Sequence, residues 1–167
     1  MTNRREGTNR TDEILSAGQN AYGWSVHDWA RERFEKSRVG RLATTTSTGR
    51  PHLVPVVFVL VRDVVWTAVD AKPKSTRSLR RLANIESNPS VSVLVDHYED
   101  DWSALWWVRV DGDATVLPVD AEGGRLALSA LAEKYPQYAA LAPPGPLICI
   151  VVDSWTSWSA RGRPPFR

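Results

Sequence analysis

The chain has 167 residues, with 21 lysines and arginines against 19 acids, eight tryptophans, three histidines and one cysteine. That length suits one domain whose core can form without metal or disulfide support, and a single cysteine excludes both an intrachain disulfide framework and a multi-cysteine zinc motif. A net charge of +2 is too small to argue for nucleic acid, and no window approaches a membrane span, so the expectation is a cytoplasmic protein.

In chain order, residues 1–23 are polar and read as a disordered arm. The domain is expected over residues 24–160. Ser25 with Asp28, flanked by Trp24 and Trp29 as a hydrophobic staple, opens a helix whose apolar face is Val26, Ala30 and Phe34. From Val39 the pattern turns to short β-type runs between turn signals, the mark of an antiparallel barrel or sandwich. Val39 to Thr46 is one strand, and Ser47-Thr48-Gly49 is a turn. Pro51 to Val61 is a second strand, apolar on both alternating faces and so expected to be covered on both. Pro55 within it cannot donate to a ladder, which places it at an edge or bulge.

After the Arg62-Asp63 turn, a strand from Val64 runs to Asp70. Ser90 to His97 is the next strand, with Val91, Val93 and Val95 on one face. Trp102 to Val110 leads into Asp111-Gly112, read as a hairpin turn before Ala114 to Val119. Leu126, Ala130 and Leu131 mark a helix between Asp120 and Lys134. Leu147 to Asp153 is a buried strand that Ser154 to Ala160 can extend, with Cys149 inside it as a small hydrophobe, and residues 161–167 form a basic tail.

One stretch stands apart. Between Lys72 and Arg81 the chain carries Lys72, Lys74, Arg77, Arg80 and Arg81 with no acid. It follows a strand, and Ser75 or Thr76 can cap a helix bearing Leu79, Leu82 and Ile85. Strand, basic loop and helix start suit a phosphate, because free N–H groups and the positive dipole end meet two lysines there. The alternative is an ordinary solvated basic helix.

The other sites of chemistry are sparse. There is no P-loop and no Gly-x-Gly-x-x-Gly fingerprint, and His27, His52 and His97 are isolated. The acidic run around His97 reads as a solvated loop better than as a metal site. A basic phosphate loop, a strand interrupted by proline and a tryptophan-rich segment together suit a flat, phosphorylated cofactor. Such a cofactor carries redox chemistry itself, so no acid–base constellation is required.

The chain resembles the pyridoxamine-phosphate-oxidase-like, split β-barrel superfamily of flavin and deazaflavin oxidoreductases. The resemblance rests on Val39-Gly40-Arg41-Leu42-Ala43-Thr44-Thr45 with Gly49-Arg50-Pro51-His52-Leu53-Val54-Pro55-Val56. It continues through Lys72-Pro73-Lys74-Ser75, Asn88-Pro89-Ser90-Val91 and Trp107-Val108-Arg109-Val110-Asp111-Gly112, which run in the family's order. It implies an α+β fold, a split antiparallel β-barrel of about six to seven strands with flanking helices, and a homodimer with cofactor at the interface.

Within that superfamily the sequence is most similar to reductases using the deazaflavin coenzyme F420, with FMN as the alternative cofactor. By position, Lys72, Lys74 and Ser75 would hold the phosphate, His52, Val54, Pro55 and Val56 would lie against the ring, and Thr67 would be nearby. Trp107 and Arg109 fall where partner-subunit contacts arise. Arg77, Arg80 and Arg81 would extend positive charge toward the cofactor's anionic tail, although Asn84 does not continue it. The implied activity is hydride transfer between F420 and a small unsaturated or aromatic acceptor. The alternatives are an FMN-dependent oxidase or reductase, or a non-catalytic cofactor- or haem-binding protein. Neither a nucleic-acid nor a membrane partner is expected.

Overall fold

The computed structural model describes residues 28–70 and 79–161. The expected N-terminal arm, the Ser25 cap, Lys72, Lys74, Ser75, Thr76, Arg77 and all of the tail after Arg161 lie outside them.

Helix α1 spans Asp28–Lys36. Strands β1 (Gly40–Thr45), β2 (Pro51–Val56), β3 (Val59–Val61) and β4 (Val64–Ala68) follow, then α2 (Arg80–Ser87) and β5 (Ser90–His97). A 3₁₀ turn at Trp102–Ala104 precedes β6 (Trp106–Leu117), α3 (Gly124–Lys134), α4 (Pro136–Ala140) and β7 (Leu147–Ser159). The seven strands form one antiparallel sheet in the order β2-β1-β5-β6-β7-β4-β3.

That order forces the shape. β2 and β3 are at opposite ends of the sheet, yet only Val57 and Phe58 join them. Three peptide steps reach at most ~11 Å, so the sheet is rolled until its two edges meet. They meet through the chain and not through a ladder, which makes the barrel split.

The expected single strand from Pro51 to Val61 is therefore two, and its coverage was misjudged. β2 alternates between exposed and partly buried residues, with Leu53 64% exposed on the outer face. The strand covered on both faces is β4, buried along its whole length. Val65 joins the barrel interior with Phe34, Leu42, Phe58, Val93 and Val108, while Val64, Trp66 and Ala68 meet Ala127 and Leu131 of α3 in a second core. Leu126, expected on that helical stripe, points out and is 59% exposed.

The break between β2 and β3 has a clear cause. Phe58 is fully buried, so its backbone groups need partners once they leave a ladder. The Tyr135 hydroxyl supplies both. It accepts from Phe58 N–H at 3.1 Å and donates to Phe58 C=O at 2.7 Å, with Arg38 C=O at 3.0 Å as the alternative acceptor.

Asp111-Gly112 is not a hairpin turn: β6 runs straight through it. Asp111 pairs with Ser154 and Gly112 with Val152, leaving Asp153 as the extra residue of a bulge in β7. Glycine is required there for contact and not for turning, because a Cβ at position 112 would lie 2.0 Å from the Val151 carbonyl oxygen. The turns at Arg62 (φ 56°) and Gly49 (φ 83°) fall where expected. β5 spans Ser90–His97 with Val91, Val93 and Val95 inward, and α2 ends before Asn88-Pro89. Cys149 is 5% exposed, and burial pushes its thiol up to about 11, as suits a packing residue.

Candidate cofactor cleft

A cleft of about 740 Å³ opens where the C-terminal ends of β2 and β4 converge beneath α4. Pro55, Val56 and Val57 form one wall, Thr67 and Ala68 the other, and Tyr135, Tyr138 and Leu141 close the top. Apolar walls with a few polar groups are what a flat cofactor needs. Asp70 and Arg81 also line the cleft. These two residues bracket the lysine-rich stretch, so the chain leaves for that stretch from the cleft rim and re-enters the cleft afterwards.

Arg38, Asp70 and Arg81 are the charged residues on the described wall, and Arg81 is half-buried. Its Nε has no hydrogen-bond partner among the described residues. Burial lowers its pKa, opposed by the nearby Asp70 carboxylate and by Tyr138. Burial likewise raises the Tyr138 hydroxyl, reinforced by Asp70, and raises Tyr135 despite the stabilising Phe58 contact. A half-buried guanidinium at the edge of an apolar slot suits the phosphate end of a flavin-type cofactor.

The sequence-derived site residues separate into groups. Pro55, Val56 and Thr67 line the cleft. Val54 packs against the barrel core. His52 also turns inward, its Nδ1 3.4 Å from Thr44 Oγ1, which accepts from Asn84 Nδ2 at 2.8 Å. Asn84 thus lies on the buried face of α2 and ties that helix to β1, which explains why the run of charge stops there.

Trp107 and Arg109 lie on the outer face of β6, away from this chain's cleft. Arg109 is held by Asp111 through Nε at 3.0 Å and a terminal nitrogen at 2.9 Å. Arg80 is exposed at the start of α2 and does not line the cleft. That helix opens at Arg80 behind an extended Leu79 with no side-chain cap, beyond the expected caps Ser75 and Thr76.

Site reasoning from sequence passed over Arg81 as a wall residue, and also Asp70, Tyr135 and Tyr138. For Arg81 there was a signal: it sits one helical turn before Asn84 and Ile85, the buried face of α2. For the tyrosines there was none, since only tertiary packing brings Tyr135 and Tyr138 against the crossing between β2 and β3.

A rolled antiparallel sheet with open edges joined by a two-residue crossing, and a cleft at that junction, defines the split β-barrel class. The chain belongs to the pyridoxamine 5'-phosphate oxidase family, whose profile matches residues 26–159. Three solved structures share the fold. A conserved hypothetical protein from Mycobacterium tuberculosis is 22% identical with a TM-score of 0.66, over 89% of this chain and 95% of that one. The haem storage protein HutZ of Vibrio cholerae is 17% identical with a TM-score of 0.62, over 80% and 93%. An F420 reductase is 20% identical with a TM-score of 0.56, over 78% and 98%. Comparison with curated protein sequences found no match. No described helix is long and apolar enough to cross a membrane.

Proposed function

We propose that the protein is an F420-dependent oxidoreductase that transfers a hydride between the deazaflavin and a small unsaturated or aromatic acceptor. One observation carries this reading. The cleft walled by Pro55, Val56 and Thr67 is also the place where the strand into the lysine-rich stretch ends and where Arg81 returns. Asp70 and Arg81, which flank the lysine-rich stretch, thus share a cleft with the residues that the resemblance assigns to the ring wall.

Bound F420 would supply the hydride. The chain's own residues position it: Lys72, Lys74, Ser75 and Arg81 take the phosphate, and Arg77 and Arg80 offer charge to the anionic tail. Pro55, Val56 and Thr67 wall the ring, and the apolar surroundings exclude water from it. His52 and Val54 support β2 from behind. The longer anionic tail of F420 gives this many cations more to engage than FMN's single phosphate does, which favours F420 over FMN.

A haem carrier fits less well. Among the described residues no histidine, cysteine or methionine lines the cleft, and of its two tyrosines Tyr135 is committed to Phe58, which leaves Tyr138 as the one axial-ligand type on the described wall.

Lys74→Ala is expected to weaken F420 binding by ~1.5–3 kcal/mol, or roughly 10- to 150-fold, the worth of a charge-assisted hydrogen bond. Fluorescence titration reads this directly, and unchanged affinity would remove Lys74 from the site.

The outer sheet face belongs to the same reading as a homodimer surface. Leu53 is 64% and Trp158 44% exposed, and Trp107 pairs across the ladder with Trp158. Apolar side chains exposed on this face favour contact with a second copy. Sedimentation at micromolar concentration should show a dimer that Leu53→Glu weakens; a monomeric wild type would refute the assembly.

A further inference from the structure

A second groove, of about 630 Å³, lies beside the cleft. It runs from α1 across the start of β1 to the end of β5 and includes Arg33, Lys36, Arg38, Arg41 and Trp106. Its acids are occupied locally. Glu32 pairs with Lys36 at 2.5 Å and Asp96 with Arg41 at 2.5 Å.

Arg33 and Arg38 have no carboxylate partner among the described residues. Both are nevertheless held in place. The Arg33 guanidinium lies 5.0 Å from the Trp106 ring centre. Arg38 donates to Lys134 C=O at 2.7 Å and lies 4.8 Å from the Tyr135 ring centre. An arginine stacked on an aromatic ring keeps its in-plane N–H donors available.

The groove and the cleft adjoin, because Arg38 and Val39 line both. Val39 is 44% exposed and gives the junction an apolar surface. A molecule lying across it would have an apolar body over Val39, toward the cleft, and an acidic end among Arg33 and Arg38.

We propose that this groove is the acceptor's anion subsite, selecting a planar, unsaturated organic acid by its carboxylate. The assignment rests on the cofactor reading above and adds the substrate's chemical class. Arg33 and Arg38 bind the carboxylate, and the conjugated body extends past Val39 into the cleft. The guanidinium fork matches a carboxylate in shape as well as charge.

The test is calorimetry on the full-length protein with 2-naphthoate, the neutral isostere 2-naphthamide and inorganic phosphate, followed by F420. Naphthoate should bind about tenfold or more tightly than the amide. Arg33→Gln should remove that preference while leaving F420 affinity unchanged, since Arg33 lies outside the cleft. Equal binding of acid and amide, or a preference that survives both Arg33→Gln and Arg38→Gln, would overturn the subsite. Displacement of naphthoate by an equal concentration of phosphate would contradict selection for a planar acid. If naphthoate selectivity holds but F420 does not bind, the anion site stands and its role beside a deazaflavin falls.

Discussion

Gly112→Ala is expected to cost about 3 kcal/mol or more and to lower Tm by ~10 °C, with much of the protein insoluble. A Cβ at this position would meet the Val151 carbonyl oxygen at 2.0 Å and Val152 Cα at 3.2 Å. The first is backbone in the central β6–β7 ladder, so no flexible side chain can yield. Relief requires the β7 bulge to open, which would disturb the pairing of Asp111 with Ser154 and of Gly112 with Val152. Overpacking costs of ~1–3 kcal/mol are usual where side chains can adjust, and here they cannot. At ~3 °C per kcal/mol for a domain of this size, thermal unfolding by circular dichroism resolves the effect easily. Gly49→Ala is the control. A Cβ there meets nothing within 4 Å, and only its positive φ opposes the change. Equal loss at both positions would show that the clash at Gly112 is not the cause.

Tyr135→Phe is expected to destabilise the fold by ~2–4 kcal/mol, although it removes a single oxygen. That oxygen is the hydrogen-bond partner of both Phe58 N–H and Phe58 C=O. Each buried backbone group left without a partner costs ~1–3 kcal/mol. The loss falls where β2 ends and β3 begins, so local opening should follow. Amide exchange at Phe58 should accelerate more than exchange in β5 or β6. The F420 affinity should fall as well, since Tyr135, Val56 and Val57 share the cleft. Urea midpoints matching the wild type would show that the crossing is held by packing alone.

Much of the barrel was legible because its strands announce themselves by alternation. Val91, Val93 and Val95 share an inward face, and Asn88-Pro89 marks the end of α2. Legibility failed where a local signal and a tertiary demand coincide on one residue. Gly112 reads as a turn because Asp-Gly usually is one, yet it is needed for a close approach by β7. Pro51 to Val61 reads as one strand because nothing in its composition marks the Phe58 break, whose partner Tyr135 is remote in sequence.

The site divides along the same line. Pro55, Val56 and Thr67, which the family resemblance places at the ring, line the cleft because they sit at the strand ends that form it. His52, placed at the ring by the same resemblance, shares the inward face of β2 with Val54 and Val56 and does not line the cleft, which is reached only at the strand's end. Arg80 and Arg81 differ by one helical position, and a count of charges cannot show which faces the cleft. The packing of Ile85 and Asn84 decides it in favour of Arg81.

The cleft is central to the functional reading, and cofactor affinity tests it most directly. Apo-protein titrated in parallel with F420 and FMN at fixed ionic strength should bind F420 more tightly by about tenfold or more, with the preference shrinking as salt screens the tail contacts. Replacing Arg81 with glutamine should weaken both cofactors, because in the proposed site both would place a phosphate there. FMN binding that F420 cannot displace, or F420 affinity indifferent to Arg81→Gln, would contradict the account.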